Sequence, residues 1–144
     1  MRTDAQWFSL ARQAALASPD TSRKTGCVLV YRTMLGVDYV TACNTFPDGV
    51  AITKERLERP TKYTYTEHAE RNAIYALARR GQSTLATTIF LPWYPCADCA
   101  RALVQAGVGE LVCTEPDWTE ERYGFVDAQK ILDEGGVKVR YIQP

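Results

Sequence analysis

The chain predicts a three-layer α/β/α domain built on a mixed five-stranded sheet whose last strands run parallel. Three observations carry that expectation. First, the second half alternates strand and helix patterns: "TTIFLP", "ADCARALVQAG", "ELVCTE", "FVDAQKILDEGG" and "VKVRYI". A strand–helix–strand connection within one sheet demands parallel strands and a right-handed crossover. Second, "GCVLVY" and "DYVTAC" are β-rich runs separated by a short turn region containing Gly36, the pattern of a hairpin. Third, helical apolar stripes occur before and between the strands, and helices on the sheet faces complete the layers.

The elements follow in order. Thr3 and Gln6 have capping-box spacing, and Trp7, Phe8, Ala11, Ala14 and Ala15 then fall on one helical stripe. That helix should stop before Ser18-Pro19-Asp20. After the hairpin, an irregular stretch runs from Asn44 to about Tyr65, punctuated by Pro47, Gly49 and Pro60. Loops of such length in compact domains are often functional. Helix resumes around "HAERNAIYALARR", where Ala69, Ala73, Ala76 and Leu77 form a narrow stripe. Gly107 closes the next helix, and a glycine pair closes the last.

With 144 residues, the chain fits a single domain, 1–144. Acidic and basic residues balance at 17 each, so no strong field exists to steer nucleic acid or an anionic membrane. A local basic pocket could still hide within that neutral total. No apolar run approaches the roughly 18 residues of a membrane span, and the N-terminus lacks a signal-peptide core. Five cysteines, an odd number without an export signal, read as reduced thiols of a cytoplasmic protein. No internal repeat, low-complexity tract or linker is evident.

The chemistry concentrates in "WYPCADCARAL". Cys96 and Cys99 stand three apart behind Pro95, so they share one face at a helix start. There the partial positive charge of the helix favours thiolate over thiol. A redox pair is one alternative, but a dithiol motif usually follows the first strand of its fold, and this pair follows the third. Cys27, Cys43 and Cys113 lie in predicted strands beside apolar neighbours and read as small core hydrophobes. The one imidazole in the chain is His68. Three protein ligands with one open position make a catalytic zinc site, whereas a fourth ligand from a spare cysteine would close it into a structural one. Glu70 lies two residues beyond His68. In mid-helix that spacing turns the side chains about 200° apart, so both address one metal only if the helix begins close to His68. Glu67, Arg71 and Arg79 read as solvated helix-face charges.

Together, His68-Ala69-Glu70 and Pro95-Cys96-Ala97-Asp98-Cys99 spell H-x-E…P-C-x-x-C, which resembles the signature of the zinc nucleobase deaminases. Beyond the motifs, the chain resembles the deoxycytidylate (dCMP) deaminase family over nearly its whole length. "TGCVLVY" is similar to that family's first strand and "CNTFPDG" to its substrate loop. "KYTYTEHAERNAI" and "YPCADCARALVQAGVGELV" are similar to its catalytic and cysteine helices.

The resemblance implies a cytidine-deaminase-like fold with strand order 2-1-3-4-5. It implies Zn²⁺ held by His68, Cys96 and Cys99, with Glu70 as proton shuttle. It places Asn44 against sugar or phosphate, Ala69 and Tyr94 at the base, and Ser22, Arg23 and Lys24 at the phosphate. The implied reaction is zinc-dependent hydrolytic deamination of a pyrimidine nucleotide, dCMP to dUMP, with release of ammonia. Zinc lowers the pKa of bound water from about 15.7 toward 7, and a carboxylate beside it moves the proton. Three alternatives stand beside this one: another small amino-substituted base or nucleoside, tRNA adenosine, and a non-catalytic zinc protein. The lack of net positive charge disfavours the tRNA reading. The family's habit implies a homo-oligomer, often a hexamer, acting on a small nucleotide or nucleobase. Thr45 departs from the pattern, because the family usually has glycine there and glycine lets backbone approach a ligand closely.

Overall fold

The computed structural model describes residues 1–143. Helix α1 (Asp4–Ala15) starts at the expected capping box: the Gln6 amide donates to Thr3 Oγ1 (3.2 Å) and the Thr3 amide to Gln6 Oε1 (2.8 Å). Two orphan donors of the first turn are thereby satisfied. Strands β1 (Gly26–Thr33) and β2 (Gly36–Cys43) form an antiparallel hairpin, with Gly26 opposite Cys43.

A one-turn helix α2 (Lys62–Tyr65) precedes α3 (Ala69–Arg80) and β3 (Thr88–Leu91). The chain then continues through α4 (Ala97–Gln105), β4 (Glu110–Cys113), α5 (Phe125–Glu134) and β5 (Lys138–Tyr141). The sheet order is β2-β1-β3-β4-β5; β1 pairs antiparallel with β3, and β3, β4 and β5 are mutually parallel. The expected architecture is therefore the observed one.

The period-two alternation of the strands divides the core. Val28, Phe90 and Val112 meet Trp7, Phe8 and Ala11 of α1 on one face. Cys27, Leu29, Ile89, Leu91, Leu111 and Cys113 meet α3, α4 and α5 on the other. Alternate residues of a strand point to opposite faces, so each buried strand supplies both cores. One helix covers the first face because Trp7 spreads widely there, stacked on Phe90 at 5.6 Å and edge-on to Tyr39 at 5.3 Å.

Two expectations need correction. The stretch between Asn44 and Tyr65 is not wholly irregular, since α2 ends it. The β-branched and aromatic run "TKYTY" looks extended by propensity, but here the turn is secured by the buried Lys62 side chain. Cys27 and Cys113 are fully buried, as core cysteines should be, but Cys43 sits half-buried at the end of β2. Among the described residues no helix is long and apolar enough to cross a membrane.

The carboxyl end of β3 and the amino end of antiparallel β1 lie at the same edge of the sheet. The order reverses at this pair, and open α/β sheets form their ligand crevices beyond the carboxyl ends of strands at such a point. The loops before β1, after β2, after β3 and after β4 converge there.

Candidate active site

His68 is the N-cap of α3 and Cys96 the N-cap of α4, both with extended backbone (φ −73°, ψ 152° and φ −69°, ψ 172°). The helix therefore begins just after His68, the condition under which His68 and Glu70 can serve one centre. His68 projects from outside the first turn, and Glu70 from within it. Cys99 follows one turn along α4, on the same face as Cys96. The His68 Nδ1 atom lies 3.6 Å from Cys96 Sγ and 3.3 Å from Cys99 Sγ.

These three donor atoms all fall within 4.8 Å of one another, and no other described Cys, His, Asp or Glu joins them. Tetrahedral zinc, with bonds of about 2.0 Å to nitrogen and about 2.3 Å to sulfur, holds such ligands roughly 3.5 Å apart. The donor set and its spacing therefore fit zinc. Cys27, Cys43 and Cys113 stay outside the cluster, so among the described residues no further cysteine closes it as a fourth ligand.

The electrostatics suit the same ion. Cys96 is pushed down to about 4, first by the hydrogen bond from the Cys99 thiol and then by His68. Cys99 is driven up by that shared hydrogen bond and by burial. His68 is raised, chiefly by its hydrogen bond to Cys96. The lowered Cys96 favours thiolate, the form that binds metal. Glu70 is buried beside the cluster, and that burial raises its carboxyl above the ordinary range. A carboxyl whose hold on its proton is strengthened in this way is suited to proton transfer.

His68, Cys96 and Glu70 line a cavity of about 360 Å³, with Cys99 buried behind them. Trp93 and Tyr123 contribute aromatic walls, and Arg23 and Arg59 form a basic rim, with the Lys62 ammonium buried beside it against Asp20 (3.1 Å). Tyr123 is placed by its carbonyl, which accepts from the Ala97 amide at the start of α4 (3.2 Å), and its ring lies under the Arg23 guanidinium at 4.7 Å. The neutral whole-chain charge does conceal a local basic pocket. Arg71 also lines the cavity, held by Glu67 at 2.5 Å. Glu67 and Arg71 are therefore a half-buried pair rather than solvated charges, whereas Arg79 is solvent-exposed.

The remaining expected residues divide. Asn44 lines the cavity, but its amide serves the neighbouring loop: Oδ1 accepts from the Thr25 amide (2.8 Å) and Nδ2 donates to the Arg23 carbonyl (2.9 Å). Tyr94 reaches the cavity from within the core, packed edge-on against Trp118 (5.5 Å) and Phe125 (5.6 Å). Ala69 is buried, and its carbonyl accepts from the Cys27 thiol (3.3 Å). Ser22 lies behind the rim, accepting from Lys62 Nζ at 2.8 Å. Lys24 turns away, its ammonium donating to the Ser18 carbonyl. Thr45 stays outside the cavity, in a β-bridge whose amides pair with Glu67 (3.1 and 2.9 Å). Its φ is not positive, so nothing there demands glycine. Sequence reasoning missed Arg59, Lys62, Trp93 and Tyr123. Only the adjacency of Trp93 to the Cys96 motif offered a signal.

Comparison with known proteins agrees with this geometry. Residues 1–115 match the family model of the cytidine and deoxycytidylate deaminase zinc-binding region. An uncharacterized deaminase from the luxG 3′ region of Aliivibrio fischeri is 29% identical over 143 residues, spanning 95% of this chain and 91% of that protein. The deoxycytidylate deaminase of Enterobacteria phage T2 is 39% identical over 72 residues, 50% of this chain and only 36% of the phage protein. The crystal structure of dCMP deaminase from cyanophage S-TIM5, in complex with dCMP and dUMP, shares the fold with a TM-score of 0.76 at 21% identity, covering 99% of each chain. A guanine deaminase from Nitrosomonas europaea aligns more loosely, with a TM-score of 0.56 at 19% identity over 96% of this chain and 74% of that one. A metal-ligand cluster of this composition, on this sheet and within a family match covering most of the chain, has one reading: the protein belongs to the cytidine and deoxycytidylate deaminase family and is a hydrolytic C–N deaminase.

Proposed function

We propose that this enzyme is a zinc-dependent deaminase of a free pyrimidine nucleotide, converting dCMP to dUMP and ammonia. The observation that carries this reading is the basic rim. Arg23 and Arg59 line the same cavity as His68 and Cys96, and neither has a carboxylate partner among the described residues. Unpaired guanidinium groups beside a base-sized cavity suit a phosphate, which they can bind through charge-assisted hydrogen bonds. The relatives named as deoxycytidylate deaminases support the same substrate class.

His68, Cys96 and Cys99 would hold the zinc. When bound, the ion supplies a Lewis acid that makes water a nucleophile at neutral pH. Glu70 takes the proton of the attacking water and delivers it to the ring nitrogen next to the reacting carbon. It then moves the second proton to the departing amino group. The carbon–nitrogen bond breaks, a carbonyl replaces it, and ammonia carries away the shuttled proton. Trp93 and Tyr123 flank the base and keep bulk water from the zinc ligands, while Arg23 and Arg59 hold the phosphate.

Ammonia release across dCMP, CMP, deoxycytidine, cytosine, adenine and guanine tests the substrate. Replacing Arg23 and Arg59 together by Ala should lower kcat/KM for dCMP more than tenfold, since a hydrogen bond to a charged group contributes about 1.5–3 kcal/mol. Deoxycytidine should be nearly unaffected, and rising salt should penalise dCMP alone. A wild-type preference for a nucleoside or free base, with a neutral double mutant, would overturn the assignment. We also propose a cytoplasmic homo-oligomer, the hexamer that the resemblance implies. The five free thiols suit a reducing compartment, and Met34 and Leu35, fully exposed at the hairpin turn, offer apolar surface for assembly. Sedimentation of the purified enzyme checks the assembly.

A further inference from the structure

We propose that the buried Asp20–Lys62 pair is the positioning element of the phosphate grip: it fixes where Arg23 and Arg59 stand and contacts no substrate itself. This rests on the nucleotide reading above. Asp20 lies in the connection from α1 to β1, and Lys62 opens α2, far away in sequence; both are buried. The Asp20 carboxylate accepts from the Ser22 amide (2.8 Å), the Ser22 hydroxyl (2.9 Å) and the Arg23 amide (3.1 Å). Lys62 Nζ donates to Asp20 Oδ2 (3.1 Å) and Oδ1 (3.3 Å) and to Ser22 Oγ (2.8 Å).

The two rim arginines meet at this hub. Arg23 joins through its backbone amide, and Arg59 through Nη2, which donates to Ser22 Oγ at 3.3 Å. The hub therefore anchors the backbone of Arg23 and the guanidinium of Arg59, residues 36 apart in sequence, while the Arg23 guanidinium rests on Tyr123.

Stability alone does not account for the arrangement. A buried ion pair gives up hydration on both charges, and a well-packed apolar pair of similar size is often as stable or more so. An apolar pair, however, cannot accept from two backbone amides and a hydroxyl at once. Lys62 has a second effect. Asp20 itself borders the cavity, where a bare carboxylate would repel a phosphate, and the ammonium neutralises it. The net positive charge of the rim is thereby left to Arg23 and Arg59.

The test uses the full-length zinc-loaded enzyme and the variants Asp20→Asn, Lys62→Met and the two combined. Zinc per chain and KM and kcat for dCMP and deoxycytidine are measured for each. The combined variant leaves neither charge buried alone, so it reports even where a single variant does not fold. Expected are a KM for dCMP raised at least tenfold, a kcat within threefold of wild type, and a kcat/KM for deoxycytidine within threefold. The combined variant should lose no more than either single one, as for two residues acting as a unit. Equal losses on both substrates, or an unchanged KM for dCMP in a folded, zinc-loaded combined variant, would overturn the positioning role alone. A wild-type enzyme that does not distinguish dCMP from deoxycytidine would overturn the nucleotide reading and this role with it.

Discussion

In the proposed reaction Glu70 and the three residues that would hold zinc, His68, Cys96 and Cys99, have separate roles at the scale of single residues, and substitutions should separate them. Glu70→Gln keeps the shape of the buried side chain but cannot carry a proton. Zinc content and fold should persist while kcat falls by at least about 10²-fold, the lower range for a general acid–base group; a variant keeping more than a tenth of wild-type kcat would mean another group moves the proton. Cys99→Ala should instead strip the metal, because among the described residues no third cysteine stands within reach and the chain has no second imidazole. Zinc per chain after dialysis reads this directly, and full occupancy would remove Cys99 from the ligand set. The contrast of one variant that keeps zinc and one that loses it distinguishes the shuttle from the ligands. Arg71 shows where residue-level reading fell short: its helical position marked it as exposed, but the pairing with Glu67 draws it into the cavity wall.

Between elements, α1 approaches the start of β1 so closely that only glycine fits at position 26. A Cβ on Gly26 would stand 2.3 Å from the Ala11 carbonyl oxygen and 2.5 Å from the Ala15 amide nitrogen. Both are backbone atoms, so no rotamer change relieves the clash and the helix must move as a body. Gly26→Ala should therefore cost about 1–3 kcal/mol, as overpacking does. Urea unfolding should show a lower midpoint at unchanged slope; an unshifted midpoint would show that α1 gives way freely. Gly26 opens β1 one residue after Thr25, whose amide is bound by Asn44. The displacement would thus reach the loop carrying Arg23, and KM for the nucleotide should rise alongside the loss of stability.

For the molecule as a whole, the loops at one edge of the sheet are bound together by charge, and acid should loosen them. Burial by itself would raise the Asp20 carboxyl, but the Ser22 and Arg23 amides and the Lys62 ammonium hold it down to about 2, against 3.8 ordinarily. A depressed native pKa means that the unfolded chain binds the proton more tightly. Asp20 therefore contributes stability above about pH 4, and that contribution drains away as pH falls toward 2. Asp20→Asn should melt below wild type at neutral pH, and the gap should narrow as pH falls from 4 to 2. A gap in Tm that stays constant over that range would show that the carboxylate is not held by these partners.

The layer order and the gathering of His68, Cys96 and Cys99 were legible in the sequence, and for a common reason. Each depends on local spacing: Cys96 and Cys99 within one helical turn, His68 just ahead of a helix start, and strand and helix patterns in alternation. The meeting of Arg23 with Arg59 was not legible in this way; Arg23 alone was expected at the pocket, through the family resemblance. Arg23 and Arg59 come together through a buried aspartate and a lysine on a helical turn whose own residues favour extended chain. Tyr123 enters the wall because a backbone hydrogen bond to Ala97 brings its loop across the site, while Tyr94, the aromatic beside the motif, packs mainly against Trp118 and Phe125. Local periodicity determines helix and strand and what one short element can present. Which distant charges share a cavity is set by the packing of loops onto a finished sheet, and so only the tertiary structure decided it.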